Sequence, residues 1–422
     1  SQEGHHGSFR LGLTSGAFNI DGPIGSRTTY SVALRRSWYD VLSIPLIALV
    51  NSASDSEKIQ FRYAFMDLNA KLTHRFSQKA TGFASVYFGN DMVKTAFTIK
   101  EMPEYGLYDD DRTNIKWGNF VAQTGLNLRA NRRLTAEFTA AFTRYFSGMN
   151  HDWYSKEIYS GFSTETHTVS DTKNNISDWI FRADLDWRPD DSHRVRFGSN
   201  YVLHSFLPAR TNRSYSTETT KVITRDSTES YVANEANLYI EDDWRISEHL
   251  RMNAGLHLSL FNIDSRTDFG YGPRLSLSYR PAENWAVKGA YARTNQYVHQ
   301  LSQTYLSLPS DQWVPVTGKF KPQSADKISA GVYWQSENKI FAASAEGYYK
   351  WMRNLVEYRD DYYLRPPTAM WNSQLCSGSG TARGVDFKIE KLSGKLTGHI
   401  AYSLAWSDRI FPDKNEGRRY PA

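Results

Sequence analysis

Residues 230–298 read SYVANEANLYIEDDWRISEHLRMNAGLHLSLFNIDSRTDFGYGPRLSLSYRPAENWAVKGAYARTNQYV. Within them Leu250, Met252, Ala254, Leu256, Leu258 and Leu260 alternate with Arg251, Asn253, Gly255, His257 and Ser259. A period of two places one set on each face of a strand, so one face is apolar and the other polar. The flanking segments repeat the pattern, with short turns at ISEH and RPAEN.

The same alternation runs outward in both directions. In residues 60–76, Met66, Leu68, Ala70 and Leu72 oppose Asp67, Asn69, Lys71, Thr73 and Arg75. In 134–146, Leu134, Ala136, Phe138, Ala140 and Phe142 oppose Thr135, Glu137, Thr139 and Thr143. In 176–187, Trp179, Phe181, Ala183 and Leu185 oppose Asp178, Arg182, Asp184 and Asp186. Short turns recur near residues 24, 78, 131, 190, 247, 283, 337 and 393, most of them about 55 residues apart, a hairpin-scale repeat. Between them lie longer connections at 40–58, 99–112, 150–175, 208–229, 262–269, 299–325, 356–382 and from 408 onward. One end of the sheet is trimmed and the other elaborated, as in outer-membrane barrels.

Strand length separates this reading from soluble all-β folds. About 14 residues at roughly 3.3 Å give about 45 Å, or about 32 Å of height at a 45° tilt, enough to cross a bilayer core. A β-propeller of this repeat length needs four short strands per blade instead. We therefore expect an all-β, transmembrane, antiparallel up-and-down β-barrel wall of about 17 strands. Bacterial single-chain barrels hold an even number, so the wall is expected to lack strands.

Composition is compatible with that expectation. The chain has 422 residues, a net charge of +5 with acids and bases interspersed, and no basic stripe that would mark a nucleic-acid partner. Mean hydropathy is −0.57, but a barrel hides only alternate residues in lipid, so bulk hydropathy underreports it. Aromatic residues make up 14% of the chain, which barrel girdles require. Trp187, Trp244, Trp285 and Trp334 lie beside short turns, where a periplasmic girdle is expected, and Trp38, Tyr145, Trp351 and Trp406 lie near the long-connection ends. The longest apolar run, residues 41–50, is too short to span as a helix and holds Pro45. It reads as a loop helix or a packed loop segment. The single cysteine, Cys376, excludes an intrachain disulfide framework and a multi-cysteine metal site.

Ordered motifs carry a family resemblance. NLYIEDDWRISEHLRMNAGLHLSLF (237–261) resembles the paired strands of TonB-dependent outer-membrane receptors, and YGPRLSLSYRPAENWAVKGAYART (271–294) resembles their following hairpin. KPQSADKISAGVYW, EGYYKWMRNLVEYRD and ARGVDFKIEKLSG are similar to later strands, with Lys327, Ile328 and Asp386 departing from the usual residues. FNIDGPIGSRTTYSVALRRSWYDVL resembles the first barrel strands of the Bacteroidetes type, and GRRYPA resembles the segment before the closing strands. The resemblance implies that residues 1–422 are a receptor barrel domain shortened at both ends, with about 17 of 22 strands. The plug domain is expected upstream. It further implies an outer-membrane transporter of a Gram-negative bacterium, driven by TonB–ExbB–ExbD acting on the plug. Outer-membrane lipid surrounds it, and a surface lipoprotein is a possible partner. A passive porin or structural barrel scaffolding a surface complex is the alternative, and a soluble β-sheet binding protein a third.

No motif supports catalysis, a cofactor or a metal. Asp109, Asp110 and Asp111 lack the glycine and spaced glutamate of a calcium loop and read as a solvated loop. His5, His6, His151 and His167 lack ligand spacing and read as surface histidines. GSGTARG (378–384) has no following Lys-Ser/Thr and reads as a hairpin entry. Ligand recognition is left to aromatic residues expected in the long loops: Trp153, Tyr154, Trp313 and Trp371 first, then Tyr105, Tyr159, Tyr362 and Tyr363; packing of the loops' own small cores is the favoured reading of the same residues. The nutrient itself is not legible.

Overall fold

In the computed structural model the described residues are 4–102, 106–159, 162–227, 230–301, 312–360 and 371–421. The chain opens with β1 (His6–Leu11), β2 (Ser15–Ile24) and β3 (Thr28–Ser37), followed by helix α1 (Tyr39–Ser52). Six long strands come next: β4 (Glu57–Arg75), β5 (Ala80–Met102), β6 (Leu107–Arg129), β7 (Leu134–Tyr159), β8 (Phe162–Trp187) and β9 (His193–Thr217). The short β10 (Lys221–Ser227) precedes β11 (Tyr231–Arg245), β12 (Leu250–Ile263), β13 (Arg266–Ala282) and β14 (Trp285–Gln296). A small hairpin, β15 (Val298–Leu301) and β16 (Gln312–Pro315), interrupts the series. The wall then resumes with β17 (Gln323–Gln335), β18 (Phe341–Tyr358), β19 (Leu375–Lys391), β20 (Gly398–Ile410) and β21 (Tyr420–Pro421).

Nineteen strands join one antiparallel sheet, and β15–β16 form a separate two-stranded sheet. Setting aside the short β10 and β21, the 19-stranded sheet is a meander of 17 strands in chain order. Among the described residues no pairing joins β1 to β20. The sheet is curled: residues from β5 round to β13 line a single polar space of about 1010 Å³.

The two faces fall where the alternation put them. Leu238, Ile240, Leu256, Leu260, Leu275 and Leu277 are exposed on the outer face. Asn237 and Ser259, which lie opposite each other, are buried on the inner one. Trp187, Trp244, Trp285 and Trp334 sit at strand ends beside short turns, with Trp285 directly opposite Trp334 and Trp244 stacked on His193 at 5.3 Å. Trp38 packs over Gly16, where any Cβ would fall 2.6 Å from the indole.

Several expectations are corrected. The connections at 99–112, 150–175 and 208–229 are largely strand, since β5 to β9 continue well past the apolar belt. Their ladders persist while the apolar alternation fades, because above the membrane neither face meets lipid. The connection at 262–269 is a two-residue turn between Ile263 and Arg266, with Asp264 at φ 51°, a left-handed conformation that aspartate tolerates. Residues 378–384 lie inside β19 and are not a hairpin entry. Asp109, Asp110 and Asp111 are on β6 rather than in a loop. His151 and His167 also sit on strands, each paired with an aspartate, at 3.0 Å to Asp111 and 2.8 Å to Asp152. Tyr145 stands opposite Asn119 on the inner face and packs against Trp313, so it leaves the outer girdle. The apolar run at 41–50 is the core of α1, which buries none of its residues.

Leu256 occupies the middle of β12 on the outer face. Leu256→Arg is expected to destabilise the folded barrel in lipid by about 2–4 kcal/mol. Asn253→Arg, on the inner face, should change stability little. Urea midpoints of refolding into lipid vesicles check both.

Candidate functional site

Along β4 the faces exchange character. Met66, Leu68, Ala70 and Leu72 point outward with Asp67, Asn69 and Lys71 inward, but higher up Lys58, Gln60 and Arg62 point outward and Ile59, Phe61, Tyr63 and Phe65 inward. The β4–β5 register runs from Glu57↔Ile99 to Arg75↔Thr81 without a shift, so the residues, not the ladder, make the swap. The inner positions at the upper ends of other strands are apolar too: Phe206 on β9, Tyr231 and Ala233 on β11, Phe261 and Ile263 on β12. The extracellular mouth is thus apolar inside, above a polar lumen.

One arc of this mouth is covered by the chain itself. The β15–β16 hairpin places β16 against β8 and β9 and β15 against β18, reaching across the opening. Its register sets His299, Leu301, Gln312 and Val314 on one face, and all four are buried. Tyr297 anchors the base, its ring parallel to Phe261 at 4.9 Å and its hydroxyl 2.6 Å from Ser259 Oγ. Tyr358 donates its hydroxyl to Gln312 Oε1 at 3.0 Å. Arg266 donates to the carbonyls of Thr317 and Phe320, each at 2.9 Å, and so fixes the strand that leaves the hairpin.

The cover is not fully satisfied. Both ring nitrogens of His299 are buried without a hydrogen-bond partner among the described residues, and burial pushes its pKa down to about 4. Gln312 Nε2 is buried and unpartnered as well. Such groups each cost on the order of 1–3 kcal/mol, which makes the hairpin a cover held by apolar contact against a polar penalty.

The other arc has no such cover among the described residues. Ile59, Phe61 and Phe97, neighbours across β4 and β5, are exposed on the inner face. Helix α1 lies along the top of β4, with Tyr39 stacked on Tyr63 at 5.9 Å and Asn51 bonded to the backbone of Ile59 at 2.8 and 2.9 Å. Val41, Ile44, Leu46 and Leu49 of that helix stay exposed.

Below the mouth the inner face is ionic. His204 lies between Asp178, 2.8 Å away, and Glu235, 3.5 Å away, with its ring stacked on Phe206. Lower still, Arg182 pairs with Asp184 at 2.5 Å and Arg196 with Glu241 at 2.7 Å. Tyr239 donates to Asp184 at 2.5 Å. Arg182, Asp184, Arg196, Tyr239 and Glu241 line the 1010 Å³ space.

The aromatic residues singled out in the sequence do not gather at one place. Trp153 is on β7, not in a loop, and donates its indole N–H to Asp109 at 2.7 Å. Tyr154, the next residue, faces the opposite side, edge-on to Tyr108 and His167. Trp313 is on β16, edge-on to Tyr145 across the mouth. Trp371 opens a short 3-10 turn, Trp371–Gln374, and its side chain lies outside the described residues, as does that of Tyr159. Tyr105, Tyr362 and Tyr363 lie outside them entirely. Sequence reasoning missed His299, Gln312, Phe61 and Phe97. The signal for the last two was present as the change of phase between Phe65 and Met66.

A long meander with lipid-compatible outer face, polar lumen and elaborated mouth defines an outer-membrane β-barrel of the receptor kind. The family described as TonB dependent receptor-like, beta-barrel matches residues 53–422, and the chain belongs to that family. The family is one of outer-membrane receptors and transporters of Gram-negative bacteria rather than of enzymes, which places this wall in that membrane. Among solved structures, the siderophore receptor PiuA from Acinetobacter baumannii superposes with a TM-score of 0.62 at 12% identity, covering 100% of this chain and 66% of that one. The outer membrane transporter YddB from Escherichia coli gives 0.61 at 12% identity, with 94% and 55% covered. The RagAB peptide importer gives 0.57 at 8% identity, with 94% and 50% covered. These identities show a shared fold, and the chain spans less than two thirds of each of those chains. No curated protein matches the chain significantly.

Because the folded pKa of His299 lies below its free value of 6.5, the open hairpin takes up a proton that the closed one does not. Closure should be intact above about pH 6.5 and weaken as pH falls toward 4, by an amount on the order of 3 kcal/mol at the limit. An environment-sensitive dye on Gly318→Cys reads the opening, and His299→Leu should flatten the profile.

Proposed function

We propose that this wall is the barrel of a TonB-dependent active transporter, which captures a scarce nutrient at its extracellular mouth and releases it to the periplasm. Energy comes from TonB with ExbB and ExbD, acting through a plug domain seated in the lumen. The single observation that supports capture is the bare apolar arc formed by Ile59, Phe61, Phe97 and α1. A passive water-filled pore has no use for exposed phenyl rings facing its entrance, whereas a receptor gains affinity from covering them.

Trp153 and Trp313, both directed to the inner side of the mouth, are assigned as flanking contacts for the ligand, with Trp371 as a further candidate; Tyr154, on the outer face of β7, could contact a ligand only at the outer flank of the mouth. Trp187, Trp244, Trp285 and Trp334 are assigned to the periplasmic membrane girdle. Neighbours of this fold include a siderophore receptor and a peptide importer, and fold alone does not choose between cargoes.

Ligand retained on full-length protein purified in mild detergent, identified by mass spectrometry, gives the reagent for the decisive test. Accumulation of that ligand by cells should stop on deletion of TonB. Phe61→Ser should weaken its binding by about tenfold, corresponding to about 1–2 kcal/mol of lost apolar burial. Uptake that survives TonB deletion would reject the reading in favour of a passive pore.

A further inference from the structure

The inner rim at the periplasmic end holds more arginine than its acids neutralise. Six arginines and three aspartates line one concavity of about 420 Å³. Of the aspartates, Asp190 already accepts the backbone N–H groups of Ser192 and His193, at 2.7 and 3.0 Å. Arg194 is held by Asp186 from outside the group, at 2.8 Å. The ladder places Arg245 directly opposite Arg251, and one hairpin away the backbone N–H of Arg188 bonds to the carbonyl of Arg133. Arg245 and Arg251 are exposed and make no ion pair among the described residues.

Like charges directly opposite each other destabilise a strand pair, so this arrangement is relieved by an anion between them. Exposed guanidinium forks are also suited in shape to bidentate contact with phosphate or carboxylate. The group faces the lumen: Arg245 and Arg251 share the parity of Glu241 and Arg274, which line the polar space. The outward positions at the same height are Leu134, Trp187 and Trp244, so a lipid headgroup is the wrong occupant.

We propose that this rim is an anion-binding site for a small solute carrying two or more phosphate or carboxylate charges. Its service as the last station before the periplasm rests on the transport reading above; the binding does not. With Asp186 counted beside Arg194 and Arg188, the site has a net charge of about two positive units, and the attraction is local and salt-sensitive.

Calorimetric titration of pyrophosphate and of citrate into the full-length protein in zwitterionic detergent tests the site. At about 0.02 M salt the parent should bind at least one probe, and about 0.3 M salt should remove most of the affinity. The double variant Arg245→Gln/Arg251→Gln should bind at least tenfold more weakly. Arg62→Gln, on the outer extracellular flank, should bind like the parent. A thermal melt shows that the double variant is folded. Pyrophosphate alone binding assigns phosphate, citrate alone carboxylate, and both assign the shared anionic chemistry. A parent that binds neither probe overturns the proposal, including the case where an acidic protein segment already fills the rim. So does a folded double variant that binds as tightly as the parent, or an equal loss in Arg62→Gln. Binding in a protein whose uptake proves independent of TonB leaves the site standing and removes only its role as an exit.

Discussion

Hydrocarbon offers no hydrogen bonds, and from that constraint most of the wall follows. Every backbone N–H and C=O within the membrane must be satisfied by a neighbouring strand, so the strands lie in chain order with antiparallel partners and unbroken ladders over most of their length. Register then determines side-chain position, because a slip of one residue would turn each apolar face into the lumen. The run from Leu250 to Ile263, opposite β11 on one side and β13 on the other without a shift, shows the constraint in its simplest form. Short turns at one end suffice because nothing else is asked of them.

Above the membrane the ladder continues but the constraint on the faces is lifted. Between Phe65 and Met66 the chain exploits this: the same strand that shows leucine to lipid shows phenylalanine to the mouth. An apolar interior open to water invites a cover. On the arc of Phe206, Tyr231 and Phe261 the cover is the chain's own hairpin, and its cost is a histidine buried with no partner among the described residues. On the arc of Ile59, Phe61 and Phe97 no such cover is present among the described residues. Two arcs of like chemistry, one covered by the hairpin and one open among the described residues, leave apolar side chains facing the mouth.

The legible part of the fold was the part that lipid dictates. Leu256 against His257, Phe138 against Thr139 and the spacing of short turns were readable because burial in hydrocarbon enforces a period of two. The extension of β7 and β8 past residue 150 was not, since Trp153 and Thr168 pair through backbone hydrogen bonds that carry no hydropathy signature. The reach of Trp313 to Tyr145 is a contact across the opening between residues far apart in sequence, which no local pattern encodes. Tyr145 shows the same limit: a tyrosine near a strand end fits a girdle or a lumen equally, and only parity with Asn119 decides. For the site, the sequence pointed to aromatic residues at the elaborated end, and strand geometry splits two of them, Trp153 and Tyr154, onto opposite faces.

Charge is layered along the lumen as polarity is layered along the wall. Beneath the apolar mouth, His204 sits between Asp178 and Glu235; the middle holds the Arg182–Asp184 and Arg196–Glu241 pairs; the periplasmic rim holds the arginine excess. Paired ions project little field, because each pair is close to neutral a few ångströms away. The rim, by contrast, gathers arginines in excess of its acids. At physiological salt that field decays over about 8 Å, too short to steer a solute from the mouth and long enough to hold one that has reached the floor. On the proposed transport reading the order has a physical sense: apolar contact at the mouth needs no ionic match, and charge selection at the rim acts on a ligand whose desolvation has already begun.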